Sequence, residues 1–491
     1  MASDVPGGRA RGRRIAESWL VVAAAAVVIV ALAGVAVAAM DAESSDDGEH
    51  WQPELPTAQE APLPEDDGVA TVGDDEYDSV QAAVDAAEAG DTIELEGHFD
   101  EHVVVDTPDV TITTTAAASA DSANDRVSAA PMHDAPGAAI DGGGEGTVVT
   151  VDAENVTIDG IWIASTGTER GGEHAGVFVN GSNVTVTNTL MTDVSYGVWI
   201  DGVADVTVAD SVIVGQSDVH PRTNRGNGIH LWSADDAVIE GNHITEVRDG
   251  IYYSWADGVA TSENVIWDVR YGVHYMYSQD NRLEGNLAFD NDVGFALMVS
   301  ENLVVTNNTA IDNAGSSGHG ILVKDIDDST IHDNVVVRNE NGLYVYNSHG
   351  NAITGNLIAE NSVGITVTAS SQGETISGNT IAENGLQAYA SAGADVDWND
   401  SQAGNYWSNA RAVDLDGDGT SEIRHQPSGA VERLVHERPA TAVFAESPAA
   451  DVVRLVESSF PLLEDRSVVD HHPLTDSPHG NWSDHYATHD H

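Results

Sequence analysis

The sequence predicts an all-β protein, a right-handed parallel β-helix of about 22 residues per coil, and three observations predict it. A glycine followed by apolar, any, apolar recurs at Gly176, Gly197, Gly228, Gly250, Gly272, Gly294, Gly320, Gly342 and Gly364, with five 22-residue steps from Gly228 onward. An asparagine stands fourteen residues after the glycine at Asn242, Asn264, Asn286, Asn308, Asn334 and Asn356. Between these markers lie short alternating runs such as "AVIEGN" and "TIHDNVVV", with no 3.6-residue period. The repeat is too short for two-helix units, and the leucine frame of a leucine-rich repeat is missing. Stacked coils, about 4.8 Å apart, satisfy the pattern. Valine and isoleucine then fill the lumen, and the asparagines form a ladder along one corner.

The elements follow in chain order. Residues 1–18 carry Arg9, Arg11, Arg13 and Arg14, and 19–40 hold 22 residues without a charge. As a helix that run reaches about 33 Å, enough to cross a bilayer, with the arginines on the cytoplasmic side. It reads as a transmembrane anchor, or alternatively as a cleaved signal segment ending near Ala36–Ala38. Either way the working part is extracytoplasmic. Residues 41–72, acidic and bearing Pro53, Pro56, Pro62 and Pro64, read as a linker. The β-helix is expected over 73–394, opening with a short amphipathic helix after Tyr77 that caps the lumen. Residues 395–474 lose the period and read as a C-terminal cap. The His-rich tail, 475–491, reads as a solvated end.

Composition narrows the function. Eighty acidic side chains stand against 19 basic ones, for a formal charge of -61, which disfavours nucleic acid as a partner. Regular apolar alternation argues against disorder, so the acidity reads as a halophile-type surface. There is no cysteine, which leaves His, Met, carboxylates and carbonyls as metal ligands.

Strand alternation assigns faces. Positions +1 and +3 from the glycine point inward, as in Ile229 and Leu231, or Val273 and Tyr275. Positions +2 and +4 point outward. Position +2 holds Trp199, His230, Tyr252, His274, Ala296, Leu322 and Tyr344; position +4 holds Trp232, Ser254, Met276, Met298, Lys324 and Tyr346. In so acidic a chain this strip of aromatic, His and Met residues, with the single lysine, is not an ordinary solvated surface. Thioether and imidazole suit copper, Cu(I) above all, so His274, Met276 and Met298, with His230 as a fourth, are candidate ligands for a transiently bound ion. Trp199, Trp232, Tyr252, Lys324, Tyr344 and Tyr346 are candidates for a partner or ligand face. A protein interface and a carbohydrate surface remain open from the residues alone. The strip contains no Asp/Glu pair, so a polysaccharide-modifying enzyme is the lesser reading. In the cap, "DLDGDGTSE" places Asp414, Asp416 and Asp418 with Gly419 as in half of a calcium loop, and Glu422 offers a further carboxylate for a structural Ca²⁺.

The phrases "RYGVHYMYS" from Arg270, "NDVGFALMVS" from Asn291, "GHGILVKDIDDSTI" from Gly318, and "GNYWSNARAVDLDGDGTSEI" with "VDHHPL" toward the end resemble the NosD family. The resemblance covers about residues 75–474. It implies an extracytoplasmic accessory protein for maturation of nitrous oxide reductase, assisting copper supply to its copper–sulfur centre. It further implies as partners an ABC transporter (ATPase plus membrane subunit), a copper-chaperone lipoprotein and the reductase itself.

Overall fold

A computed structural model describes residues 63–487, apart from 115–135, 170–171, 401–402 and parts of 428–467. The basic start and the apolar segment 19–40 lie outside the described residues. Among the described residues no helix is long and apolar enough to cross a membrane.

Each coil contributes three short strands. Asp249–Ser254, Ala260–Ser262 and Val265–Trp267 make one coil. Tyr271–Met276, Arg282–Glu284 and Leu287–Phe289 make the next. Equivalent strands pair in parallel and in register, with Ile251 beside Val273, Ala260 beside Arg282 and Val265 beside Leu287. The result is a parallel β-solenoid, and among the described residues the strands of the repeat glycine belong to one stack of 12. Positions +1 and +3 fill the lumen as expected: Ile251, Val273, Phe295 and Ile321 are fully buried. Tyr253 and Tyr275 stack inside it with ring centroids 4.2 Å apart.

The asparagine ladder is real and longer than the six residues that announce it. The backbone N–H and Nδ2 of Asn264 both donate to Asn286 Oδ1, at 3.0 and 2.9 Å, while Asn264 Nδ2 also reaches the carbonyl of Ile239 one coil back. The pattern repeats through Asn308, Asn334, Asn356 and Asn379 to Asn405. A second ladder runs Asn291, Asn313, Asn339, Asn361, Asn384. A buried amide left without partners costs about 1–3 kcal/mol, so each rung holds its coil in a single register. The four extra residues around "GSSGH" leave both ladders intact.

The ends differ in part from expectation. The capping helix is present at Val80–Ala86, with Ser79 as N-cap and Val80, Ala83 and Val84 buried over the first coil. The Glu101 carboxylate accepts from the Val80 and Gln81 N–H groups at 2.6 and 3.2 Å, satisfying its open first turn. Two strands precede it, however: Val69–Val72, inside the stretch read as linker, and Asp75–Tyr77. They pair antiparallel with each other, and Val69–Val72 also lies along Thr92–Asp100. Runs of three and four residues are too short for alternation to reveal. At the far end the described part of the tail, residues 475–487, expected to be solvated, docks on the solenoid. Tyr486 is buried and donates to Glu360 Oε1 at 2.8 Å, and His479 Nδ1 lies 2.8 Å from Thr380 Oγ1.

A shorter corner ladder ends on a carboxyl. Ser329 N–H donates to Asn351 Oδ1, and Asn351 Nδ2 to Glu374 Oε1 at 3.3 Å, leaving Glu374 Oε2 buried without a partner. Burial pushes the Glu374 carboxyl up to about 7, against the pull of its bonds to Asn351. A carboxyl raised on folding favours the folded state most below its unfolded pKa, and that advantage is lost as pH rises through the folded value. Glu374→Gln should therefore raise the melting temperature more at pH 8 than at pH 5. Equal shifts at the two pH values, measured by calorimetry, would show that the carboxyl does not titrate in this window.

Candidate functional site

The outward strip is built by the glycine column. A Cβ on Gly250 would lie 2.5 Å from the carbonyl oxygen of Gly272, and one on Gly272 would lie 2.4 Å from that of Gly294. Only glycine permits this approach. The strand bends there and its parity changes, so the residue before the glycine joins the outer face beside position +2. That adds a column the alternation rule assigns inward: Asp249, Tyr271, Val293 and His319 stack in register.

Position +2 does face away from the lumen, but its rings cover one another. Trp199 and His230 stack at 3.9 Å, and Tyr252 sits 4.9 Å from both His230 and His274. His230 and His274 are thereby left only 6% and 7% exposed. This corrects the expectation of an open apolar strip: the open residues are in column +4, where Trp232 and Tyr346 are exposed. Higher up, Val293, Ala296 and Leu322 form an apolar cluster separate from the lumen, flanked by Tyr271, Met298 and Tyr344. Tyr344 stacks on His319 at 4.7 Å. Met276 and Met298 are lateral neighbours, and Lys324 follows Met298 in the same column below Tyr346.

The two histidines differ in chemistry. His274 Nδ1 lies 3.2 Å from Asp249 Oδ2, and its Nε2 is buried without a partner. Burial alone would raise the Asp249 carboxyl, but hydrogen bonds from His274 and Arg270 outweigh it and hold the group at about 2. Arg270 grips the carboxylate with both forks, at 2.8 and 2.6 Å. An ionised Asp249 can only accept, so His274 carries a proton on Nδ1, and the neutral ring would have its lone pair at Nε2. That is how metal-bound imidazoles are commonly held. At His230, Asn227 Oδ1 accepts from Arg248 Nε at 3.1 Å, which turns the Asn227 NH₂ toward His230 Nδ1 at 2.9 Å. His230 Nδ1 is thus an acceptor and the proton sits on Nε2. Burial, seconded by the charge of Arg248, lowers the His230 pKa to about 3, so the ring stays neutral. A neutral ring of this form offers no free lone pair, so the arrangement disfavours His230 as a ligand.

Two residues of the outer edge lie one step past the strand and escape the +4 column. Trp255 continues from Trp232 at 5.0 Å and Tyr277 stacks on Trp255 at 5.2 Å, both about half exposed. Trp255, Tyr277 and the β-branched Val299 adopt left-handed φ of 52°, 56° and 49°, at a corner that Asp325 and Asn347 occupy in later coils. Bulky residues pay strain in this region, and such strain concentrates where a surface is used. The signal in the sequence is a bulky residue where the repeat wants Asp or Asn.

In the cap, Asp414, Asp416 and Glu422 bring one ligand atom each within 4.8 Å of one another. Asp418 is turned away, its Oδ1 accepting from Thr420 N–H and Oγ1 at 2.8 and 2.7 Å. Backbone bonds from Gly419 and Gly417 hold the Asp414 carboxyl below its usual range.

Fold and face together define a parallel β-solenoid with an imidazole–thioether strip built into its outer wall. Residues 209–412, which contain that strip, match the family model described as a periplasmic copper-binding protein (NosD). A probable ABC transporter binding protein NosD of Pseudomonas aeruginosa is 37% identical over 358 residues, covering 70% of this chain and 83% of that protein. A protein of the same description from Stutzerimonas stutzeri is 36% identical over 360 residues, covering 70% and 82%. The chain belongs to the NosD family. Among solved structures, the family 28 exopolygalacturonase of Yersinia enterocolitica is similar over 65% of this chain and 75% of that one, with a TM-score of 0.49 at 10% identity. That likeness carries neither mechanism nor substrate.

The opposite tautomers are directly observable. Long-range ¹H–¹⁵N spectra of the imidazoles, assigned with single-histidine variants, should show His274 protonated at Nδ1 and His230 at Nε2. An Nε2-protonated His274 would remove the basis for its lone pair facing the strip.

Proposed function

We propose that this protein handles copper as cargo on the extracytoplasmic side of the membrane, assisting assembly of the copper–sulfur centre of nitrous oxide reductase. The observation that carries the proposal is the unpartnered Nε2 of His274, held in acceptor form by Asp249 and Arg270 on the strand that also bears Met276, with Met298 beside it. One imidazole and two thioethers form a soft donor set suited to Cu(I). His274 and Met276 stand about 6.6 Å apart along the strand, and Met276 and Met298 about 4.8 Å apart across it, within reach of one ion for flexible methionine side chains. The half-buried strip keeps water from most of the site while leaving an approach along column +4.

In this proposal the exposed edge, Trp232, Trp255 and Tyr277 with Tyr346, receives a partner, since rigid aromatics are the usual anchors of such contacts. The relatives' description as ABC transporter binding proteins supports an ABC transporter as one partner. A copper-chaperone lipoprotein and the reductase are the others, by family resemblance. The segment 19–40 serves as anchor or signal. A binding role rather than catalysis is supported by the relatives' description, and by Asp249, whose carboxylate is fully engaged by Arg270 and His274 instead of being free as an acid or base.

Cu(I) affinity, measured anaerobically by competition with a chelator, should fall at least about tenfold in Met276→Ala/Met298→Ala, equivalent to about 1.4 kcal/mol. The same double variant should fail to restore the copper–sulfur centre in a strain lacking this protein. Unchanged affinity would sink the ligand assignment, and a reductase with its centre intact in the deletion strain would sink the role.

A separate proposal concerns the cap, where Asp414, Asp416 and Glu422 would hold a structural Ca²⁺ without Asp418. Chelation with EGTA should then lower the melting temperature of the wild type and leave Asp416→Asn/Glu422→Gln unmoved. A wild-type melt indifferent to EGTA would leave only an Asp-rich turn, closed by its own backbone bonds.

A further inference from the structure

At the N-terminal end, on a different sheet from the strip, three unlike side chains converge. His98 and Asp100 lie two apart on Thr92–Asp100, both turned outward, since Phe99 between them is in the core. Asp141 stands on the next coil, in register beside Asp100. His98 Nε2 is 3.4 Å from Asp100 Oδ1 and 3.9 Å from Asp141 Oδ2, and one atom from each of the three lies within 4.8 Å of the others. Ligand atoms around a four-coordinate ion with bonds of about 2.0–2.2 Å sit about 3.3–3.6 Å apart, so only small side-chain movements separate this arrangement from a closed one.

We infer that His98, Asp100 and Asp141 form a site for a divalent first-row cation of the Zn²⁺ or Mn²⁺ type, clamping the first coil to the second. Three observations beyond proximity support it. His98 Nε2 is shielded from solvent and has no hydrogen-bond partner. Asp141 spends Oδ1 on the Gly143 N–H, at 2.8 Å, which orients the carboxylate and leaves Oδ2 for the site, as outer contacts do for metal ligands. Among the described residues no Lys or Arg pairs with either carboxylate, so two laterally adjacent acids face each other in a strongly anionic protein with His98 as their one ion-pair partner. Asp193 adds to the negative field: its carboxyl is pushed up by burial first, then by Asp218 and Asp141.

The donor set is one imidazole nitrogen and two carboxylate oxygens. It contains no sulfur, so it selects against Cu(I) and is chemically separate from the methionine strip. Asp100, exposed at 83% of its side chain, is the mobile ligand that closes the site; His98 and Asp141, exposed at 25% and 15%, are the preset pair. Because Asp100 and Asp141 stand on successive coils, one ion that binds only the folded arrangement ties those coils together and stabilises the start of the solenoid by mass action.

The test uses the full chain, stripped with EDTA and titrated with Zn²⁺ by calorimetry, with Asp100→Asn, His98→Gln and His479→Ala/His485→Ala as variants. One equivalent of Zn²⁺ should survive the tail double variant. It should weaken at least about tenfold in Asp100→Asn, an exposed position that does not threaten folding, and vanish in His98→Gln. Zn²⁺ should also raise the melting temperature of the wild type and not that of Asp100→Asn. Identical stoichiometry, affinity and melting response in the wild type and Asp100→Asn would overturn the site and leave a simple His98–carboxylate ion pair.

Discussion

The stacking of buried asparagine amides is the constraint on which the rest of this molecule depends. Each rung takes a backbone N–H and a side-chain N–H from one coil onto a single oxygen of the next, and returns its own N–H to a carbonyl one coil back. A slip of one residue would strand several buried polar groups at once. With register pinned at the corners, every column of side chains on every face is pinned too. The contact of Trp199 with His230, and of Tyr252 with His274, follows from rungs elsewhere on the coil.

The glycine column does the complementary work. It lets neighbouring backbones approach where no side chain would fit, and the bend it imposes turns Asp249 and Tyr271 onto the outer wall. Asp249 is fully buried, and an unpaired carboxylate there would be very costly. Arg270 and His274 resolve that cost, and in doing so fix which nitrogen of His274 is free. Since the carboxyl is held at about 2, it remains an acceptor for His274 Nδ1 across the whole physiological pH range.

Much of this was legible in the amino-acid order. The period, the lumen residues, the ladder from Asn242 to Asn356, the capping helix at Val80–Ala86 and the pairing of Met276 with Met298 all follow from spacing and alternation. The rest failed for specific reasons. Strict alternation has no place for a parity change at glycine, which hid Asp249, Tyr271 and His319. Facing away from the lumen is not the same as facing water, so His230 and His274 proved covered by rings from adjacent coils. Trp255 and Tyr277 lie at a left-handed corner, where propensity gives no reason to look for aromatics. The docking of Tyr486 on Glu360 joins residues 126 apart in sequence, a contact that local pattern cannot announce.

The last rung of the long ladder carries a consequence of its own. Asn405 donates its backbone N–H not to another asparagine but to Asp470 Oδ2, which also accepts from Trp407 Nε1, while Asp470 Oδ1 takes the His472 N–H. A carboxylate in that place receives hydrogen bonds and has none to hand on. An open solenoid end is otherwise a template on which another copy could add coil upon coil, the geometry of fibre growth. By ending the amide relay on an acceptor that carries no N–H of its own, the cap closes the column on which a further asparagine rung would have stacked.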